Sequence, residues 1–202
     1  MSSREQILRQ VRGNRPELRP LPSLPVPMPV QQHDAIERFG AMLDEVGGEL
    51  VVAAASVDLR AIIRGRHPDA VTICSTIAEL PISTVVLERG CPVALLEGIE
   101  LAIVRGTIGV VENAAVWVGE ESLPHRVLPF VARHLVLLIR ADQLVGDMHD
   151  AYAALALDRE SPGYGVFISG PSKTADIERA LVIGAQGPRS LLVIVTASAA
   201  PA

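Results

Sequence analysis

Residues 166–178 bring together residue types that can hold a small anion. Val166, Phe167 and Ile168 form a short apolar run suited to a buried strand. Ser169, Gly170, Pro171 and Ser172 break that run, and Lys173 and Thr174 follow. Ser172 or Thr174 can cap a following helix, with Asp176 and Glu178 in its first turns, where acidic residues suit the helix dipole. Free backbone N–H groups at such a strand–loop–helix junction can bind an anion, and Lys173 adds a point charge for a carboxylate or phosphate. The motif is not a P-loop, because Pro171 and Ser172 separate Gly170 from Lys173. An ordinary capped helix after a core strand is the plainer reading of the same residues, and the two stay open at this level.

A second polar group interrupts an apolar stretch. Residues 101–104, 108–111 and 115–118 are apolar runs, and Glu112 and Asn113 stand between the last two. A carboxylate beside core strands is costly unless it is paired or opens onto a cleft. Glu112, Asn113 and Thr107 either make a solvated turn and its neighbour or form the polar wall of a pocket. In the second case Glu112 is the candidate base or nucleophile.

The remaining reactive side chains give weaker signals. His33, His67, His125, His134 and His149 form no His-x-x-x-His or His-Glu-x-x-His pair, so no metal site is expected. His125 and His134 could join a metal site only with carboxylates such as Glu120 or Glu121. No Gly-x-Ser-x-Gly elbow marks a nucleophilic serine. Cys74 and Cys91 are the only cysteines, and two thiols cannot supply the four ligands of an iron–sulfur cluster. They read as reduced, partly buried thiols. The net charge of −5 argues against nonspecific nucleic-acid binding. No apolar run approaches the ~20 residues of a bilayer span. The polar start of the chain lacks a signal-peptide core, and a cytoplasmic protein is expected.

The elements that must position these groups read as α/β. Aromatics are only 3%, so the core must be built from Ala, Val, Leu and Ile. Residues 3–12 predict a short helix with Ile7, Leu8 and Val11 on one face and Ser3 as cap. Six prolines between 16 and 29 then favour an extended arm, lying across the domain or a partner, or a loose linker. Helices are predicted over 34–46 and 57–64, and strands over 49–53 and 70–74. From residue 83 strands dominate, at 84–87, 93–96, 101–104, 108–111 and 115–118, which predicts an antiparallel or mixed insertion in the sheet. A strand at 135–139, an alanine-rich helix at 147–157 and a last strand at 191–195 complete the set. The domain organisation is therefore an N-terminal helix and proline-rich arm over 1–30, one α/β domain over 31–196, and a tail over 197–202 expected to be disordered.

The run Ser169, Gly170, Pro171, Ser172, Lys173, Thr174, Ala175, Asp176, Ile177, Glu178, followed by Gly184, Gly187 and Pro188, resembles the closing signature of the lactate-utilisation protein C family, also called the LUD domain. Glu112, Asn113, Ala115, Val116 and Trp117 resemble the family's central pattern, with Ala114 where the family usually has glycine. A positive φ there would strain alanine. Leu128, Pro129 and Phe130, then His134, resemble its proline-containing segment and the histidine that opens a strand. The resemblance covers roughly 101–195.

It implies a mixed, mostly parallel sheet flanked by helices, like the sugar-phosphate isomerase and coenzyme A transferase superfold. It also implies an accessory subunit of a system oxidising L-lactate to pyruvate, with iron–sulfur clusters on partner proteins and no cofactor on this chain. Small-carboxylate or phosphate contacts are then expected at Gly170, Ser172, Lys173 and Thr174, with Glu112, Asn113 and Thr107 opposite. A homo-oligomer is compatible with this. The competing readings are a stand-alone isomerase-like or acyl-transferase-like enzyme and a small-acid-sensing module.

Overall fold

The computed structural model describes residues 2–17, 19–20, 32–54, 56–155, 163–174 and 181–197. Its central sheet is built from the apolar runs that carry no alternation. Five strands, β1 (Glu49–Ala53), β2 (Ile73–Ser75), β3 (Leu101–Arg105), β6 (His134–Arg140) and β11 (Ser190–Thr196), pair in the order β1-β11-β6-β3-β2, all parallel. Strands buried on both faces need apolar residues at every position, which explains the unbroken Leu and Val of β6 and β11. One face, including Val104, Leu137 and Val193, packs against helix α2 (Gln32–Glu45) through Phe39 and Leu43. The other, including Ile103, Val136 and Ile194, packs against Ile63 of α3 (Leu59–Arg66). Asp58 caps α3 by accepting the Arg60 amide at 2.9 Å.

The mixed segment is a separate sheet, not an insertion in the first. β4 (Ile108–Val110) pairs antiparallel with β5 (Ala115–Gly119) and parallel with β7 (Leu144–Val145). β5 pairs antiparallel with β8 (Gly165–Ile168). Val116 and Val118 join the first core, whereas Ile108, Val110 and Ala115 turn outward to Ala151 of α5 (Met148–Leu155). A short helix α4 (Leu128–Val131) precedes β6.

Several expectations are corrected. Residues 84–87 form no strand; the Thr84 hydroxyl oxygen accepts the Ile73 amide at 2.8 Å, and Val86 is exposed. Val93–Leu96 is one 3-10 turn after Pro92, with only Leu96 buried. Ser172 caps no helix, because Lys173 and Thr174 after it are extended. They form β9, antiparallel to β10 (Val182–Ile183). The rest of the expected helix, residues 175–180, and with it a cap by Thr174, lies outside the described residues, as do 18 and 21–30 of the proline-rich arm, 156–157 of the alanine-rich helix and 198–202 of the tail. The N-terminal helix α1 (Ser3–Gly13) is capped by Ser2, in a capping box with Glu5, rather than by Ser3.

Candidate functional site

The Ser169 loop is shaped by close approaches that exclude larger residues. Gly170 has φ 71°, and a Cβ there would lie 2.5 Å from the Val46 carbonyl oxygen at the end of α2. Only glycine meets both demands. The Ser169 hydroxyl donates to the Asn113 carbonyl at 2.6 Å, tying the loop to the turn between β4 and β5. The Ser172 amide donates to the Pro188 carbonyl at 2.9 Å, and the Gly184 amide donates to the Ser172 carbonyl at 2.8 Å. The two halves of the closing signature therefore hold each other. Lys173 lies over the C-terminal end of α2, its Nζ 3.0 Å from where a Gly47 Cβ would stand. A cation there faces the negative pole of the helix. A pocket of about 280 Å³ opens beneath the loop, lined among others by Phe130, Ser169, Ser172, Lys173, Gln186 and Pro188.

The central polar residues are divided among three tasks. The Glu112 carboxylate accepts the Met148 amide at 3.1 Å and so serves the first turn of α5. The Asn113 side chain accepts the Ala115 amide at 3.0 Å, closing a local turn around Ala114. Ala114 is fully buried with φ 52°, the left-handed value at which alanine is strained. Thr107 lines a different cleft, of about 610 Å³, with Trp117, Glu121, Asp142, Gln143 and Tyr164. The structure thus joins Asn113 to the Ser169 loop and places Thr107 apart from Lys173.

Sequence spacing missed one juxtaposition. His67 and His134 meet with ring centroids 5.0 Å apart. His134 Nδ1 shares a hydrogen bond of 2.7 Å with the Ser190 hydroxyl, and these two residues are register partners at the starts of β6 and β11. The only hint in the sequence is the repeated dipeptide Arg66-His67 and Arg133-His134. Burial, then His134 and Arg66, hold His67 below its ordinary value. Burial, then Arg133 and Arg189, do the same for His134 against a smaller opposing pull from Glu100. His125 sits elsewhere, accepting the Val127 amide at 3.2 Å, and Glu120 pairs with Arg126 at 2.8 Å. No group of three or more His, Cys, Asp or Glu side chains among the described residues could hold a metal ion. Cys74 is buried, and its thiol is pushed up to about 11 by burial and then by Cys91; both thiols are free.

Comparison with known proteins follows this geometry. The LUD domain family model matches residues 94–196, just over half of the chain. That span contains β3, β6 and β11, the whole second sheet and the Ser169 loop. The chain is 28% identical over 209 residues to the Lactate utilization protein C of Deinococcus radiodurans, covering 94% of this chain and 91% of that protein. Its fold is similar to a crystal structure, at 1.70 Å, of a DUF162 family protein from Deinococcus radiodurans. The TM-score is 0.63 at 17% identity, covering 83% of this chain and 99% of that one. By its sequence signature and its extent of match, this chain belongs to the LUD domain family.

Proposed function

We propose that the chain serves lactate utilisation, as a non-redox subunit of a cytoplasmic system that oxidises L-lactate to pyruvate. The observation that carries this reading is the likeness, along 94% of the chain, to a protein named Lactate utilization protein C. Electrons would pass through iron–sulfur clusters on partner proteins, since the two cysteines of this chain fall short of the four that a cluster takes. No helix among the described residues is long and apolar enough to cross a membrane.

The small acid is placed in the pocket beneath the Ser169 loop. Lys173 supplies the positive charge, the Ser172 hydroxyl a hydrogen bond, and Gly170 and Thr174 hold the loop in shape. Asn113 supports that loop through Ser169, and Glu112 supports the helix behind the same turn.

The test is L-lactate-dependent dye reduction in extracts of the source cells, with the chain deleted and then restored, and partner levels followed by immunoblot. Loss and rescue at constant partner levels is the expected result. Undiminished activity without the chain would remove the lactate role. The purified chain should bind L-lactate or pyruvate, and Lys173→Ala should weaken that binding about 10- to 100-fold, the worth of a hydrogen bond to a charged group. Turnover of a sugar phosphate or acyl thioester by the purified chain alone would instead favour a self-sufficient enzyme.

A further inference from the structure

The paired histidines, their rings tilted by 40°, stand in a pocket of about 270 Å³ at the N-terminal ends of β3 and β6. Arg66, Asp69, Glu100 and Arg133 line it with them. The charges around it are unevenly satisfied. Glu100 accepts the Val71 amide at 2.6 Å and the Thr72 amide at 2.9 Å, and Arg66 pairs with Glu49. Arg133 and Arg189 make no ion pair among the described residues. They immediately precede the adjacent strands β6 and β11, where the Arg189 amide donates to the Arg133 carbonyl at 2.8 Å, but of the two only Arg133 lines this pocket. His67 Nε2 is buried without a hydrogen-bond partner among the described residues. Such an orphaned polar atom costs free energy unless a ligand or water meets it. Asp69, at the exposed rim, is the one carboxylate here with no compensating bond among those described.

We propose that this pocket binds the phosphate group of a small phosphorylated molecule. Arg133, which lines the pocket, is the fixed charge, and His67 and His134 are donors that gain protons when the anion arrives. A tetrahedral dianion offers more oxygens than a carboxylate, which suits a site lined by two imidazoles and by Arg133, a guanidinium with no ion pair among the described residues. Binding and protonation are linked: a dianion that favours charged imidazoles must bind more tightly as pH falls. The site stands independently of the lactate reading, because it shares no residue with the pocket under Lys173.

Sulfate is the first probe, since its charge does not change near neutrality, and inorganic phosphate is the second. Both are titrated into the full chain in chloride buffer, following the imidazole C–H signals by NMR. Saturable binding should move the His67 and His134 signals, and sulfate affinity should rise by up to about tenfold per pH unit for each proton taken up between about pH 8 and pH 6. Arg133→Gln, at an exposed position, should weaken binding by about tenfold or more. His67→Asn should reduce the pH dependence, and Lys173→Ala should change neither. Any one of four results overturns the site: unmoved histidine signals at both pH values, wild-type affinity in Arg133→Gln, loss of binding in Lys173→Ala, or L-lactate displacing sulfate at lower concentration than phosphate does.

Discussion

Ala114 is the residue at which sequence and structure disagree with ease of folding. Its φ of 52° costs an alanine about 1–2 kcal/mol. Its methyl group is fully buried and contributes about 0.8 kcal/mol, and glycine would add about 0.5–1 kcal/mol of entropy cost. Ala114→Gly should therefore change stability by less than about 1 kcal/mol. Ala114→Val adds a β-branch in the same conformation to a filled core, and should cost about 2–4 kcal/mol. Urea midpoints of the two variants check this, and a valine variant as stable as the parent would deny the left-handed turn. The expectation of strain at this position came from the usual family glycine, so the turn was legible from one residue type. The His67–His134 contact was not. It arises from sheet register, which sets His134 opposite Ser190, and from the end of α3, which delivers His67.

At the scale of elements, the Glu112 carboxylate is the anchor of α5. It accepts the Met148 amide across the turn, as a capping side chain does within one helix. Glu112→Ala should cost about 1 kcal/mol and loosen α5, whereas Glu112→Gln keeps an acceptor oxygen and should keep both stability and lactate-dependent activity. Urea unfolding and the extract assay together decide the matter; loss of activity with intact stability in the glutamine variant would make Glu112 a reacting group. The same contrast between local and distant partners explains what could be read beforehand. β3, β6 and β11 were legible because burial on both faces writes an unbroken apolar run. Residues 84–87 and 93–96 carry similar runs, yet Val86, Val93 and Leu95 are exposed, so their composition misled. Lys173 and Thr174 look like a helix start by their hydroxyls and lysine. Their ladder partners Val182 and Ile183 lie eight or more residues away, beyond what a local motif can report.

For the whole molecule, pH acts through groups at different places in the layered fold and therefore in two separate windows. His67 ends α3 and His134 opens β6, and both are held below the ordinary value of 6.5 by burial first and nearby positive charge second. The unfolded chain then binds more protons than the native one as pH falls past 6.5, so stability must decline with falling pH in that window. Glu79, Glu100 and Asp142 are held below their ordinary values of 4.5, 4.5 and 3.8, the first two chiefly by backbone hydrogen bonds and Asp142 by Arg140. Their stabilisation persists above those values and is lost only as pH falls through the lower native ones. A plot of urea midpoint against pH should therefore be flat between about 7 and 8, fall in a first step below 6.5, and fall again in acid. His67→Asn should shrink the first step and leave the second, because the asparagine cannot gain a proton. The measurement belongs in chloride buffer without phosphate or sulfate, since an anion that draws protons onto the imidazoles would oppose the first step. A flat profile between 7 and 5 in the parent chain would mean that the native fold accepts protons on these histidines as readily as the unfolded chain does, and the burial of the two rings against each other would then have to be wrong.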